Sequence, residues 1–414
     1  CPDGATILGG AERAPDTMNR GVMRDAQGVA VDSMMEPPDA PALQARQLAI
    51  RFTGSGRAYF RIWIVNLLLV LVTFTLYYPW AKARRLRYFH GNTLVDGTPL
   101  GFHGNPRAMF RGYLLVGVLF LLYAVAGRFS VAAGLVALVL VALIAPALLR
   151  SSLRFRLANT RWRGMRFVFS GDAADAYRAL LPLFVPVLAI AAGLLLVADP
   201  QRPPPGYGIW VLGVAISTPA VVPWLLWRLK RYQHAHYGLA SLQTAFKATV
   251  GSFYGLVFKT LGWALLVVLA VIAAVAALAT VFAGGGNLTG LPWRPVLLSV
   301  LPLMACCYVF VKSYFTAGLQ NLVWTKTGNR SMRFINRLPC SRLFWLTVRN
   351  WLLMLLTLGL YWPFAVVATT RLRLEAVVIK TRQEPATLVS LLQASDVEAA
   401  GDAAGDLLGI DIGL

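Results

Sequence analysis

The chain has 414 residues, of which 57% are hydrophobic and 14% are charged, and its mean hydropathy is +0.61. This composition excludes an ordinary soluble globular protein. The net charge of +21 would favour nucleic-acid binding in a soluble chain. Here, however, Lys and Arg lie between apolar segments, and the known enrichment of cytoplasmic loops in Lys and Arg accounts for the charge. We therefore predict an integral membrane protein.

Residues 1–45 are polar, with scattered acids and prolines, and contain no apolar core of a signal peptide. We predict that they form a disordered tail. Residues 46–382 are predicted to form a membrane domain built from repeats, and residues 383–414 an acidic C-terminal tail.

Six segments are long and apolar enough to cross a hydrocarbon core, which takes about 20 residues of helix. They are residues 110–126, 131–149, 180–197, 209–227, 261–283 and 296–311. The predicted fold class is therefore an α-helical multi-pass membrane protein with six full spans.

Two further apolar segments are copies of one element. Residues 66–81 (NLLLVLVTFTLYYPWA) recur as residues 350–365 (NWLLMLLTLGLYWPFA), and nine positions are identical in register. If both segments cross the membrane, the chain has eight spans. If each dips in and returns, it has six spans and both ends lie on one side.

The basic residues favour the second arrangement. The alternate loops between the six spans contain only Arg128, Arg202 and Arg294, so these loops face away from the cytoplasm by the positive-inside rule. The other loops and both flanks are strongly basic, which predicts that both termini are cytoplasmic and that the end segments are re-entrant.

A second repeat lies in the basic loops. The pattern Arg87-Tyr-x3-Asn92-Thr93-x3-Gly97-x4-Phe102-x-Gly104 recurs 67 residues later, from Arg154 to Gly171. The Asp-Gly pair before Thr98 is typical of a tight hairpin turn, and Gly238 and Gly328 are predicted at corresponding turns. With strands at about 47–53 and 371–380, these short cytoplasmic β-hairpins could form one layer; separate hairpins on the lipid surface are the alternative.

The chain resembles the YjgN-like family of bacterial inner-membrane proteins. The resemblance rests on FTGSGRAYFRIWIVNLL (52–68), YYPWAKARRLRYFHGNT (77–93), RFRLANTRWRGMRFVFSG (154–171) and LLGIDIGL (407–414). It covers about residues 46–414 and implies a multi-pass protein of the bacterial inner membrane. It implies no biochemical activity and no catalytic residues.

Few residues are suited to ion coupling, catalysis or metal binding. All 18 Asp and Glu residues lie outside the six predicted spans and the two matched segments, which argues against a carboxylate-coupled transporter. His90, His103, His234 and His236 lie in basic loops without cysteines or acids to complete a ligand set. We predict no enzyme activity, no metal site and no cofactor.

Arginine and aromatic residues alternate in the first two basic loops. This pattern would suit RNA in a soluble protein, but anionic lipid headgroups are the nearer polyanion beside apolar spans. We therefore predict the lipid bilayer and its anionic headgroups as partners, and no nucleic acid. The predicted headgroup contacts are Arg84, Arg85, Arg87, Arg154, Arg156, Arg161 and Arg163.

The matched end segments contain polar and helix-breaking residues at equivalent positions. Proline removes a backbone donor and disfavours helix just before it, so each segment is predicted to break. Paired re-entrant elements suggest a central pathway, while two caps that close a helical array are the alternative. The candidate structural or pathway positions are Asn66, Thr73, Tyr77 and Pro79 in the first copy and Asn350, Thr357, Tyr361 and Pro363 in the second.

The sequence leaves two classes of function open. One is passive or uncoupled transport or permeation of a small solute or lipid. The other is a non-transporting membrane scaffold that binds anionic lipid or a partner protein through its basic cytoplasmic face. A continuous polar cavity between the end elements would favour transport, and a filled interior with an exposed basic platform would favour the scaffold.

Overall fold

A computed structural model describes residues 46–195, 204–239, 242–282 and 293–382. All of them belong to the compact unit that begins at Gln44. The tails predicted at 1–45 and 383–414 lie outside the described residues.

The described residues form eleven α-helices. They are α1 (Gly56–Val72), α2 (Tyr78–Gly91), α3 (Pro106–Phe129), α4 (Val131–Ala158), α5 (Ala173–Leu180), α6 (Val185–Leu195), α7 (Tyr207–Ala235), α8 (Val250–Phe282), α9 (Trp293–Thr325), α10 (Cys340–Leu356) and α11 (Trp362–Glu375). Among the residues that the structure describes, six helical segments are long and apolar enough to cross a membrane: Pro106–Phe129, Val131–Ala158, Ala173–Gly193, Tyr207–Ala235, Val250–Ala277 and Val300–Thr325. The predicted class, a helical multi-pass membrane protein with six spans, is confirmed at this level.

In the described part of the chain, eleven short strands form one antiparallel sheet. They are β1 (Arg46–Phe52), β2 (Thr93–Val95), β3 (Thr98–Phe102), β4 (Thr160–Trp162), β5 (Met165–Phe169), β6 (Tyr237–Leu239), β7 (Leu242–Gln243), β8 (Ala245–Phe246), β9 (Thr327–Gly328), β10 (Met332–Asn336) and β11 (Val377–Thr381). The spatial order is β7-β6-β5-β4-β3-β2-β1-β11-β10-β9-β8. Because only Thr244 separates β7 from β8, the chain itself joins the two edges, and the sheet closes on itself.

Helix pairs alternate with strand pairs around this closed sheet. Four helix pairs each start after one strand and return to the next: α1 and α2 connect β1 to β2, α3 and α4 connect β3 to β4, α8 and α9 connect β8 to β9, and α10 and α11 connect β10 to β11. Three helices, α5, α6 and α7, lie between β5 and β6. The last strand pair is formed by the two ends of the domain, with Arg46 opposite Thr381 and Gln47 opposite Lys380. Helix α1 packs on α11, so the helices close into a circle as well.

The repeated Asn-Thr pair ends a helix and starts a strand. The hydroxyl groups of Thr93 and Thr160 donate to the carbonyl oxygens four residues earlier at 2.7 and 2.8 Å. The Asn92 and Asn159 amides donate to the carbonyl oxygens four residues before them, both at 2.8 Å. Nδ1 of His236 lies 2.9 Å from the Tyr232 carbonyl oxygen and takes the place of the Asn in the third copy. Each side chain thus partners a carbonyl that the helix end leaves open.

The repeated Phe-x-Gly motif is a packing unit. A Cβ atom on Gly104 would lie 2.5 Å from Cζ of Phe102, and one on Gly171 would lie 2.6 Å from Cε1 of Phe169. In each case the buried phenylalanine folds over the glycine two residues later. Glycine is required because any side chain would occupy the space of the phenyl ring.

The substitution Gly104→Ala is therefore expected to lower the free energy of unfolding by about 1–3 kcal/mol, because it overpacks a buried cluster. Gly91 is the matched control, since a Cβ there meets nothing within 4 Å, and Gly91→Ala should change stability by no more than about 0.5 kcal/mol. Thermal unfolding in detergent measures both variants. Equal stability of the two would contradict the packing role of Gly104.

The structure differs from the sequence predictions at two places in the sheet. The strand predicted from residue 371 starts later, because α11 continues to Glu375. Leu372 and Leu374 pack into two different clusters, so the alternation of apolar and charged residues in α11 reflects neighbours on several sides. Gly238 is not at a turn; it lies inside β6, paired with Val168 and Gln243.

Candidate functional site

The inner face of the closed sheet surrounds an apolar cavity of about 550 Å³, which we call the chamber. Side chains alternate along each strand, and every second one points inwards. The buried inward side chains form one hydrophobic cluster: Leu48, Val95, Trp162, Met165, Leu239 and Ile379. The indole of Trp162 also donates to the Val95 carbonyl oxygen at 3.2 Å and so ties β4 to β2. A cavity of this size and lining suits a small apolar or amphipathic molecule.

The helices that lead into the sheet form the roof of the chamber. The residue that precedes each of the strands β2, β4, β6, β9 and β11 by three positions occupies the same register in every repeat. These residues are His90, Leu157, His234, Trp324 and Leu374, and all but His234 line the chamber. His234 is buried behind them, edge-on to Trp324 with ring centroids 5.3 Å apart.

Polar groups in the chamber are few and do not form a catalytic set. They include the hydroxyl groups of Thr93 and Thr160, already hydrogen-bonded to the helix ends, the imidazole of His90 and the guanidinium of Arg156. Among the described residues, no group of three or more His, Cys, Asp or Glu could hold a metal ion. The arrangement can bind an apolar surface and one anionic group.

The pKa of His90 lies below its usual value. Burial is the main cause, and the charge of Arg156 lowers it further, while the hydrogen bond between Nδ1 and the Leu86 carbonyl oxygen, 2.8 Å, opposes the shift. Because the folded-state pKa is lower than the unfolded value of about 6.5, the unfolded state takes up a proton first as the pH falls. The contribution to stability is full above pH about 6.5 and is lost as the pH drops towards the folded-state pKa.

Replacing His90 by leucine, the residue that α4 carries at this register, should therefore make stability less sensitive to acid. The wild-type melting temperature is expected to fall more between pH 7.5 and pH 5 than that of His90→Leu. The control variant is His103→Leu, at a histidine that does not line the chamber. An unchanged slope in His90→Leu would contradict a neutral, buried His90.

The candidate positions of the two end segments have identical local geometry. Thr73 and Thr357 each donate to a carbonyl oxygen four residues earlier at 2.7 Å. Each also accepts from a backbone N–H at 3.0 Å, that of Tyr77 or Tyr361. The threonines thus join α1 to α2 and α10 to α11. The prolines Pro79 and Pro363 are fully buried in the first turns of α2 and α11.

The two asparagines are buried in separate helix pairs. The Asn350 amide lies 3.5 Å from the Ala365 carbonyl oxygen and 3.4 Å from Oγ1 of Thr369, both on α11. The side-chain oxygens of Asn66 and Asn350 are buried without a hydrogen-bond partner. Asn350 therefore bonds within its own helix pair.

The seven arginines predicted to contact headgroups have different surroundings. Arg163 pairs with Asp96 at 2.9 Å, and Arg87 donates to the Gly104 carbonyl oxygen at 3.3 Å. Arg156 lines the chamber. The remaining four are Arg84, Arg85, Arg154 and Arg161. Like Arg87 and Arg163, they do not line the chamber.

One carboxylate lies inside a span, contrary to the sequence prediction. Asp175 is in the third span, because that helical segment starts at Ala173, before the apolar run. Its carboxylate lies 3.3 Å from Nη1 of Arg178 and 3.9 Å from Nε2 of His236. His236 directly precedes β6, so Asp175 is at the sheet end of the span.

The described residues combine six helices long and apolar enough to cross a membrane with one closed sheet, and these helices define a multi-pass integral membrane protein. The chain belongs to the family described as "Bacterial protein of unknown function (DUF898)", which it matches over residues 47–407.

Relatives of the chain include two proteins named inner membrane protein YjgN. The protein of Salmonella typhimurium is 28% identical over 142 residues, which are 34% of this chain and 35% of the relative. The protein of Escherichia coli strain K12 is 30% identical over 149 residues, 34% of this chain and 36% of the relative. The alignments thus span about a third of the curated relatives, and no solved structure matches the chain.

Proposed function

We propose that this chain is an inner-membrane protein that binds a lipid-like small molecule in the chamber and permits its uncoupled passage between the bilayer and the sheet. The observation that carries the proposal is the chamber itself. Its walls come from strands throughout the domain, and they are almost entirely apolar. Burial of an apolar chain there contributes about 25 cal/mol per Å² removed from water.

The absence of a coupling group supports uncoupled passage. The four carboxylates in the described part of the chain are Asp96, Asp172, Asp175 and Glu375. None of them lines the chamber. Proton or sodium coupling through a carboxylate at mid-membrane depth therefore has no candidate among the described residues.

Photolabelling of the full chain in lipid nanodiscs tests the chamber. The probe is dodecanol carrying a diazirine at the end of its chain. Labelled peptides are expected to include β3 and β10, whose inward residues Leu100 and Phe334 pack on the chamber cluster. Labelling only of the spans would overturn the proposal.

A matched pair of variants on α4 sharpens this test. Leu157→Trp fills the chamber with a side chain that α9 already carries at the same register, Trp324. Leu140→Trp changes an exposed residue of the same helix. Chamber labelling should disappear in Leu157→Trp and persist in Leu140→Trp.

The two short helix pairs are re-entrant in this proposal, and both ends of the domain lie in the cytoplasm. Helices α1 and α2, of 17 and 14 residues, are only about 26 and 21 Å long, against a hydrocarbon core of about 30 Å. Helix α1 starts just after β1 and α2 ends just before β2, and these two strands pair with each other. The tip residues Phe74 and Leu358 are 89% and 93% exposed, which suits hydrocarbon.

A reporter that is active only in the periplasm tests this topology when it is fused after Leu414. It should be silent. Insertion of the same reporter after Phe129, between α3 and α4, should give activity and serves as the control. Activity of the C-terminal fusion would indicate either that the chain has eight spans or that its orientation in the membrane is the reverse.

The scaffold remains a second candidate because the outer face of the closed sheet is basic. The residues between the inward side chains include Arg51, Arg161, Arg166, Arg333 and Lys380. Such a face attracts anionic lipid, with about 1 kcal/mol for each basic residue near the surface. An unlabelled chamber, with binding of anionic vesicles that depends on these residues, would favour the scaffold.

A further inference from the structure

Four cationic side chains lie on four of the helices that lead into the sheet. We call them the cationic collar: Lys82 on α2, Arg156 on α4, Lys230 on α7 and Arg373 on α11. Arg156 lines the chamber directly. Arg156 and Arg373 occupy the same register, each four residues before the strand that follows its helix.

Helical spacing places Lys82 on the chamber side of α2 and Lys230 one turn before the residue of α7 that has the roof register. Lys82, Leu86 and His90 are four residues apart and share one face of α2, and Leu86 and His90 both line the chamber. Lys230 precedes His234, the counterpart of His90 in α7, by four residues. The lysines therefore stand one or two turns above the chamber roof.

The collar residues form two pairs of like charges. Arg156 interacts electrostatically with Lys82, and Arg373 interacts with Lys230. Burial, and after it Arg156, lowers the pKa of the Lys82 ammonium group below its ordinary value. Converging like charges are unfavourable unless an opposite charge balances them.

No described carboxylate balances the collar. Asp96 binds Arg46 and Arg163, and none of the ion pairs among the described residues includes a collar residue. The contacts of Lys230 and Arg373 are to neutral amides: Nζ of Lys230 lies 3.1 Å from Gln233, and Nε of Arg373 lies 2.7 Å from Oε1 of Gln320.

An uncompensated cationic collar above an apolar chamber defines the chemistry of its ligand. We infer that the site binds a single-chain amphiphile with an acidic headgroup, a carboxylate or a phosphate, whose headgroup contacts Lys82 and Arg156 and whose chain fills the chamber. The inference rests on the proposed function and narrows it from lipid-like molecules to anionic ones.

Competition against the photoreactive dodecanol probe tests the inference with the full chain in neutral nanodiscs at pH 8. The competitors are dodecanol, dodecanoate and dodecyl phosphate, which share one chain and differ only in the headgroup. In the wild type, at least one of the acids should displace the probe from the chamber at a concentration at least tenfold lower than dodecanol. Stronger competition by dodecanoate alone identifies a site for a carboxylate, and stronger competition by dodecyl phosphate alone identifies a site for a phosphate. Stronger competition by both identifies a general site for acidic headgroups.

The collar variant Lys82→Gln/Arg156→Gln should bind dodecanol as before and lose the preference for acids. The matched control is Arg161→Gln/Arg166→Gln. It removes two arginines that are cross-strand partners on β4 and β5 and that alternate with the inward residues, so it should retain the preference for acids. Added salt should weaken the wild-type preference, which provides a measurement that does not depend on the folding of a variant.

The possible failures are distinguishable. If dodecanol and both acids compete equally in the wild type, or if the preference survives in the collar variant, the inference is wrong and the chamber remains an apolar site. If the probe never labels the chamber, the proposed function is wrong and the inference fails with it.

Discussion

Replacement of Trp162 by alanine is expected to lower the free energy of unfolding by about 3–5 kcal/mol. Trp162 is 4% exposed and belongs to the chamber-wall cluster, whose other buried residues come from five other strands. The substitution removes this packing, opens a cavity and leaves the Val95 carbonyl oxygen without the indole donor. Chamber photolabelling should weaken as well, because the wall loses apolar surface.

Trp345→Ala is the matched control for this prediction. Trp345 is 68% exposed on α10, so its loss removes little protein packing. Thermal unfolding in detergent compares the two variants. Equal destabilisation would contradict the enclosed chamber wall.

The substitution Phe253→Ala is expected to have an effect of similar size, about 3–5 kcal/mol. Phe253 lies on α8 and is 0% exposed. It joins Ala248 and Val323 in a cluster where α7, α8 and α9 meet the sheet. Its loss should loosen the junction between the spans and β8.

Phe258, on the same helix, provides the comparison. It is 66% exposed, and we expect Phe258→Ala to change stability by less than about 1 kcal/mol in detergent. The difference between the two variants measures how firmly the sheet end of α8 is packed. A small effect of Phe253→Ala would contradict this cluster.

The class of fold was predictable because it depends on length and hydropathy. Six apolar segments identified the six spans, and their bounds shifted mainly where a helix continued past the apolar run, as at Asp175. The two repeats were also visible in the sequence. Their physical reasons were not, since the hydrogen bonds of Thr93 and the phenyl ring of Phe102 over Gly104 depend on three-dimensional contacts.

The chamber could not be predicted from the sequence. It is built from strands as short as two residues, such as β7 and β9, and alternation over so few positions carries no detectable period. Closure of the sheet also depends on pairing between β1 and β11, at opposite ends of the domain. His236 replaces the Asn of the repeat, so the third copy was not aligned with the first two.

The residues of the cationic collar likewise lie in separate parts of the sequence. Arg156 was counted with arginines that contact lipid headgroups, although the structure has it in the chamber lining. Lys82 directly follows the first matched segment, and the equivalent position after the second segment is Val366, so the repeat indicates no common role for Lys82. Only the common register of the helices that enter the sheet brings these residues together.

The central claim is that the chamber holds a lipid-like molecule, and native mass spectrometry of the full chain tests it most directly. Protein released from nanodiscs of defined composition should retain one tightly bound amphiphile. Leu157→Trp should lose it, and Leu140→Trp should retain it. A wild-type protein without a bound molecule, or an adduct that both tryptophan variants retain, would contradict the account.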